Sequence, residues 1–280
     1  MGCSFGVIGG DSRQAELVRL LAAEGQTVWS YGLWEWEASW EGSLERAASA
    51  DVVVLPLPLC REDGVLNCEG PPVSTLKLFR QLNPEQIVLA GQVKETQWRE
   101  AESCGLRMVD YFQREDLAVA NAAATAEGAI RVAMQSMNRT LLGQECLVLG
   151  FGRIGKLLSG RLHGLGARVT ATARKAEDLA WICACGWNAL ETNAMDGQLG
   201  KFGVVFNTVP SLVLDGPLLE QLPANCLCID LASVEGIDGA EAVRLGKKYI
   251  WARSLPGKLV PHTAAVAIRD TIYYIINNEL

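Results

Sequence analysis

The stretch Cys146-Leu147-Val148-Leu149-Gly150-Phe151-Gly152-Arg153-Ile154-Gly155 fixes how the rest of this chain is read. An apolar run of strand length leads into three glycines at the G-x-G-x-x-G spacing, and an apolar-periodic helix, Ile154 to Leu165, opens behind them. Each glycine has its own physical task. Gly150 makes the tight turn, Gly152 lets the backbone approach a pyrophosphate, and Gly155 lets the helix lie close to the strand. The unpaired N–H groups and partial positive charge at the helix N-terminus then suit an anion. The bare spacing is common in proteins, and a purely structural glycine turn is the alternative. The strand before it and the helix after it point to a dinucleotide site.

The next strand, Arg168 to Ala173, ends in Thr172-Ala173-Arg174-Lys175. An NAD-selective site places an acidic residue here, about twenty residues past the fingerprint, to hold the ribose 2′-OH. Two cations and no carboxylate suit a 2′-phosphate instead, because a guanidinium grips phosphate oxygens bidentately. NADP is therefore the expected cofactor; the alternative for Arg174 and Lys175 is a solvated turn. Two further strand ends, Asn207-Thr208-Val209-Pro210 and Asp230-Leu231-Ala232-Ser233, fall where doubly wound sheets receive ligands, although the same residue types also make ordinary turns. The expected cofactor contacts are thus Gly150, Gly152, Arg153, Ile154, Gly155, Arg174, Lys175, Asn207, Thr208, Val209, Asp230, Ala232 and Ser233.

The rest of the second half continues the alternation with strands Val204 to Thr208, Leu227 to Leu231 and Tyr249 to Ala252. The first half has a similar rhythm: strand Ser4 to Ile8, helix Arg13 to Ala23, strands Thr27 to Tyr31 and Asp51 to Leu57, helix Ser74 to Leu82, strand Ile87 to Ala90, helix Glu95 to Cys104 and strand Leu106 to Val109. Strands alternating with helices predict parallel sheets covered on both faces. An Ala-rich stretch from Asn121 to Met137 reads as a long connecting helix. A final helix, Thr263 to Asn278, is long enough to return to the first lobe. The expected fold is α/β, with two Rossmann-like doubly wound lobes joined by long helices. Residues 1–120 with 263–280 form the substrate-side lobe, 121–140 the interdomain helix and 141–262 the NADP-binding domain.

Composition narrows the function. Of 280 residues, 49% are apolar and 20% charged, and the formal net charge of -7 opposes a nucleic-acid backbone or an anionic membrane. The nine cysteines are scattered and read as reduced thiols. Cys183 and Cys185, like Cys226 and Cys228, miss the usual zinc spacing, and His163 and His262 lie far apart, so no metal is expected. No secretory signal is read, and Gly6 breaks the acylation pattern after Met1-Gly2-Cys3. Apolar runs are too short or interrupted to span a bilayer. A soluble protein is expected. Trp29, Trp34, Trp36 and Trp40 crowd between glutamates, a cluster better suited to packing or an interface than to a ligand.

Between the first strand and first helix stands Gly9-Gly10-Asp11-Ser12-Arg13-Gln14, which lacks the fingerprint spacing. On residue type alone, Asp11 or Ser12 caps the helix and Arg13 lies in solvent.

Several islands together resemble the A subunits of dipicolinate synthases: Gly9-Gly10-Asp11 with Arg13-Gln14, Thr125 with Glu127-Gly128, and the fingerprint with Arg153. Asn207-Thr208-Val209-Pro210-Ser211, Ile229-Asp230-Leu231-Ala232-Ser233, and Leu255-Pro256-Gly257-Lys258 through Pro261 to Thr263-Ala264 complete the set. The resemblance covers nearly the whole chain except Trp29 to Trp40 and Arg61 to Pro72. It implies oxidation of dihydrodipicolinate to dipicolinate with NADP⁺, in the mother-cell cytoplasm of a sporulating bacterium. It also implies a homo-oligomer, an architecture shared with D-2-hydroxyacid and alanine dehydrogenases, and a flavoprotein-like second subunit. The dianionic substrate raises Arg13 to a carboxylate clamp, with Gly10, Asp11, Glu127 and Thr263 as further substrate contacts. His262 and Lys258 become candidates to move a proton or anchor a carboxylate. Pro261-His262 with Ala264 also resembles the catalytic-histidine segment of D-2-hydroxyacid dehydrogenases, but Ser233 stands where that chemistry needs an arginine. A non-catalytic NADP-binding regulatory subunit is the other alternative.

Overall fold

The structure, a computed structural model, describes residues 3–33, 43–62 and 64–279. Its contacts divide the chain into two compact units, Met1–Asn121 with Pro256–Leu280, and Ala122–Leu255.

The first unit runs β1 (Ser4–Ile8), α1 (Ser12–Ala23), β2 (Thr27–Tyr31), α2 (Leu44–Ala48), β3 (Val52–Val54), β4 (Cys60–Glu62), β5 (Val65–Leu66), α3 (Thr75–Phe79), β6 (Ile87–Ala90), α4 (Glu95–Ser103) and β7 (Met108–Asp110). Helix α5 (Glu115–Ser136) contains the division between the units. The second unit follows with β8 (Glu145–Leu149), α6 (Arg153–Gly164), β9 (Arg168–Ala173), α7 (Ala176–Ala184), β10 (Asn188–Glu191), β11 (Val204–Asn207), α8 (Gly216–Gln221), β12 (Leu227–Asp230), α9 (Gly239–Arg244) and β13 (Lys248–Trp251). Helices α10 (Leu255–Leu259) and α11 (Pro261–Asn278) end the chain.

In the first unit a five-stranded parallel sheet has the order β2-β1-β3-β6-β7. In the second, a six-stranded parallel sheet has the order β10-β9-β8-β11-β12-β13. Both are doubly wound. The direction of winding reverses between β1 and β3 in one sheet and between β8 and β11 in the other, and the crevice outside the carboxyl ends at such a reversal is where these sheets bind ligands.

Local chemistry accounts for the elements. Asp11 and Gln14 form a capping box at the start of α1, so that helix begins at Ser12. Helix α11 starts with Pro261 in its first turn, two residues before the expected Thr263, because proline needs no N–H partner there. Its stripe of Ala265, Ile268, Ile272 and Ile275 is buried with Phe5, Val7, Leu17 and Leu21 in one core. Helix α5 starts at Glu115 rather than Asn121 and ends at Ser136, with Glu115 and Asp116 in its first turn favouring the positive end of the helix dipole. The strand expected from Asp51 to Leu57 closes at Val54, since Pro56 and Pro58 lack ladder donors. The edge strand β10 and the antiparallel hairpin β4–β5 are additions to the expected set. Trp29 on β2 is half-buried against the core, with the Arg46 guanidinium 5.1 Å from its ring centre. Trp34, Trp36 and Trp40 lie outside the described residues.

Candidate functional site

In the second unit, β8 delivers the glycine loop to the β8/β11 reversal. Gly150 has φ +93°, and a Cβ there would stand 2.7 Å from both Thr208 Oγ1 and Val209 Cγ2. The turn is pinned from both sides: Gly150 N donates to Thr172 Oγ1 at 3.1 Å, and Thr208 Oγ1 donates to Leu149 O at 2.8 Å. A Cβ on Gly155 would lie 2.1 Å from Gly150 O, so only glycine lets α6 come this close. Gly152 differs. It is the N-cap of α6, no side chain caps the helix, and a Cβ on it would meet nothing within 4 Å. With no side-chain cap among the described residues and no Cβ at Gly152, the backbone at this helix N-terminus can be approached closely, a cradle that fits a pyrophosphate. Arg153 is exposed and Ile154 half-buried at this turn.

At the end of β9, Arg174 is exposed and makes no ion pair among the described residues. Lys175, also exposed, lies 3.6 Å from the exposed Glu177. Two cations thus flank the position past β9 where the ribose of a dinucleotide binds in this fold.

The neighbouring strand ends hold the loops rather than present polar side chains. Asp230 is fully buried; its Oδ1 accepts from Asn207 Nδ2 at 2.8 Å and Ala232 N at 3.0 Å, and its Oδ2 from Gly236 N at 2.8 Å and Ile237 N at 3.0 Å. Asn207 Nδ2 also donates to Val209 O, and Asn207 Oδ1 accepts from Val209 N. Trp251 Nε1 donates to Ala232 O. The side chains of Asn207 and Asp230 are thus engaged in holding the two strand-end loops. The Thr208 hydroxyl is spent on Leu149 O. Ser233 is exposed.

In the first unit the β1/β3 reversal carries a buried polar cluster. Asp11 caps α1 as expected, but Arg13 does not lie in solvent: it is 7% exposed. Its Nε and Nη2 each reach the Asp11 carboxylate at 2.8 Å, and Nη2 also donates to Leu57 O on the loop after β3. That bidentate lock fixes the guanidinium plane. Gln14 is fully buried, with Oε1 accepting from Asp11 N at 3.1 Å and Nε2 without a partner among the described residues. Tyr111 OH donates to Leu55 O at 3.0 Å, and its complete burial pushes the phenol far above its usual range, so it stays protonated.

The α10 segment docks on this cluster. The Ser12 hydroxyl donates to Gly257 O, and a Cβ on Gly257 would fall 2.8 Å from Asp11 Oδ2. His262, exposed at the start of α11, has Nδ1 3.5 Å from Oε2 of the largely buried Glu16. Lys258 and Thr263 are exposed nearby in sequence. The structure thus brings Gly10, Asp11, Arg13 and Gly257 together, with His262 tied to α1 through Glu16. Glu127 is not among them. It belongs to the second unit, where its exposed carboxylate meets Arg161 at 3.2 Å. Sequence reasoning missed Glu16, whose only signal is its place on the same helix as Arg13, and Asn67, which had none.

No group of three or more His, Cys, Asp or Glu side chains that could hold a metal occurs among the described residues. No described helix is long and apolar enough to cross a membrane.

The chain is similar to known proteins along its length. Residues 4–112 match the family described as the N-terminal domain of the dipicolinate synthase A subunit. The chain is 27% identical over 281 residues to the dipicolinate synthase A subunit of Bacillus subtilis (strain 168), covering 97% of this chain and 95% of that protein. The crystal structure of the dipicolinate synthase A subunit from Bacillus halodurans superposes with a TM-score of 0.86 at 26% identity, over 98% of this chain and 99% of that one. For the fold alone, D-lactate dehydrogenase from Escherichia coli matches with a TM-score of 0.61 at 14% identity, over 98% of this chain and 96% of that one. The two-lobed dehydrogenase architecture read from the sequence is borne out, and the similarity to the A subunits of dipicolinate synthases extends along both units.

Proposed function

From this kinship with the A subunits of dipicolinate synthases, we infer that the chain is the dinucleotide-binding subunit of such a synthase, an oxidoreductase that converts dihydrodipicolinate to dipicolinate with NADP⁺. The observation that carries the reading is the open, uncapped N-terminus of α6 at Gly152, set at the winding reversal of a six-stranded parallel sheet. A nicotinamide dinucleotide bound there supplies the hydride acceptor. The reaction balances as dihydrodipicolinate and NADP⁺ giving dipicolinate, NADPH and a proton, and aromatisation makes it downhill.

The chain's own residues then have three tasks. The α6 N-terminus holds the pyrophosphate, and Arg174 with Lys175 holds the 2′-phosphate. Arg13, its plane fixed by Asp11, offers its remaining N–H groups to a substrate carboxylate. His262, oriented by Glu16, takes the proton, while Lys258 supports the dianion. Ser233, in place of the arginine that a D-2-hydroxyacid dehydrogenase needs, sets this chemistry apart from that of 2-hydroxyacids. The reading carries with it a flavoprotein-like second subunit, a homo-oligomeric assembly, and work in the mother-cell cytoplasm during sporulation.

Cofactor choice tests the nucleotide half of this reading. In a fluorescence titration, NADPH binds the wild-type chain more tightly than NADH does. Arg174→Glu weakens NADPH by roughly 10- to 30-fold, the worth of a charge-assisted phosphate contact, and leaves NADH within about threefold. Equal losses for both nucleotides would remove the 2′-phosphate role; failure of either to bind the wild-type chain would remove the dinucleotide site.

A further inference from the structure

The residues after the hairpin β4–β5 bond the loop at the β1/β3 reversal. Asn67, 8% exposed, is the staple. Its carbonyl accepts from Gly10 N at 2.7 Å, its Nδ2 donates to Pro58 O at 3.1 Å, and its Oδ1 accepts from Arg61 Nε at 2.7 Å. Arg13 bonds the carbonyl of Leu57, one residue before Pro58. Two guanidinium groups are thereby fixed around consecutive carbonyls of one loop, Arg13 directly and Arg61 through a buried amide.

Their charge states differ in a way that matters. The Arg13 charge is already balanced by the bidentate Asp11 carboxylate, so Arg13 can orient an incoming carboxylate but adds no net positive charge for a second one. The chain as a whole, at -7, offers a dianion no attraction either. Arg61 is different. Its partner Glu69 is 47% exposed, and Arg61 itself 49%. An ion pair this exposed contributes little, so an external carboxylate displaces Glu69 at small cost. A protein carboxylate already seated on Arg61 also marks where a ligand carboxylate fits. In the same cluster the buried Gln14 Nε2 has no hydrogen-bond partner among the described residues, and the Gln14 side chain lies against Gly10.

We propose that Arg61 is the second carboxylate anchor of this site: with Arg13 it selects planar 2,6-dicarboxylates over monocarboxylates, and Glu69 is a built-in competitor that leaves when the diacid binds. This rests on the reading that the substrate is such a diacid. Arg61 acts on specificity and takes no part in the hydride or proton steps.

The test is calorimetric titration of the full chain with pyridine-2,6-dicarboxylate and pyridine-2-carboxylate. Wild-type protein binds the diacid more tightly. Arg61→Gln lowers diacid affinity roughly 10-fold and leaves the monoacid within about threefold, so the preference collapses. Glu69→Gln, which keeps Arg61 and its bond to Asn67, tightens the diacid a few-fold. A wild-type preference that survives in Arg61→Gln, or a Glu69→Gln variant that binds the diacid more weakly, overturns the role of Arg61 while leaving the substrate reading intact. Wild-type protein that binds neither probe, or both equally, overturns the diacid reading and this proposal with it.

Discussion

Gly152→Val leaves the protein folded and lowers its affinity for a nicotinamide dinucleotide by about 100-fold or more. The backbone of Gly152 is extended (φ −78°, ψ −165°), so valine fits it without strain, and the new side chain meets no protein atom within 4 Å of the Cβ. What it fills is the space in front of the α6 N-terminus. Two charge-assisted bonds from that turn to a pyrophosphate, at about 1.5–3 kcal/mol each, give the expected loss. Stability falls by no more than about 1 kcal/mol, the difference between glycine and valine at an N-cap. Gly155→Ala is the contrast: its Cβ would lie 2.1 Å from Gly150 O, so it damages the fold and the binding together. Thermal melting and nucleotide titration on the same samples separate the two. A Gly152→Val protein that binds NADPH normally places the nucleotide elsewhere.

Asp230→Ala destabilises the second unit by about 3–5 kcal/mol, at the exceptional end for a single substitution. The carboxylate is fully buried and accepts four hydrogen bonds, three of them from the backbone of the loop Ala232 to Ile237. Removing it strands those donors in a site water does not reach, at about 1–3 kcal/mol each before relaxation. Asp230→Asn keeps the shape but turns one acceptor edge into a donor, and should retain part of the stability. Denaturant unfolding measures both. An alanine variant as stable as wild type would mean the loop holds without this carboxylate.

These cases show what the sequence could and could not convey. The glycine loop was legible because its chemistry is local: strand, turn and helix are contiguous, and Gly150 and Gly155 answer to neighbours within the motif or just across the sheet. Asp230 was read as a ligand contact because a carboxylate at a strand end can serve either a ligand or a loop, and its bonds to Gly236 and Ile237 carry no sequence signal. Arg13 read as solvent-exposed on residue type, yet is buried because Leu57, 44 residues away, supplies a carbonyl to it. Arg61 and Asn67 left no trace at all, since their pairing depends on a hairpin too short and polar to carry a strand pattern. Glu127 sat in a motif island but pairs with Arg161 on a neighbouring helix. Contiguous motifs thus survive translation into sequence, and constellations assembled from separate loops do not.

Anaerobic turnover separates a catalytic subunit from a nucleotide-binding regulator. Freshly generated dihydrodipicolinate and NADP⁺ are supplied to the purified chain, with and without the proposed flavoprotein-like partner, and the absorbances of NADPH and dipicolinate are followed together. Both products are expected to appear in equal amounts. Absence of both in every combination, from a protein that binds NADP tightly, would contradict it and favour a nucleotide-binding regulatory role.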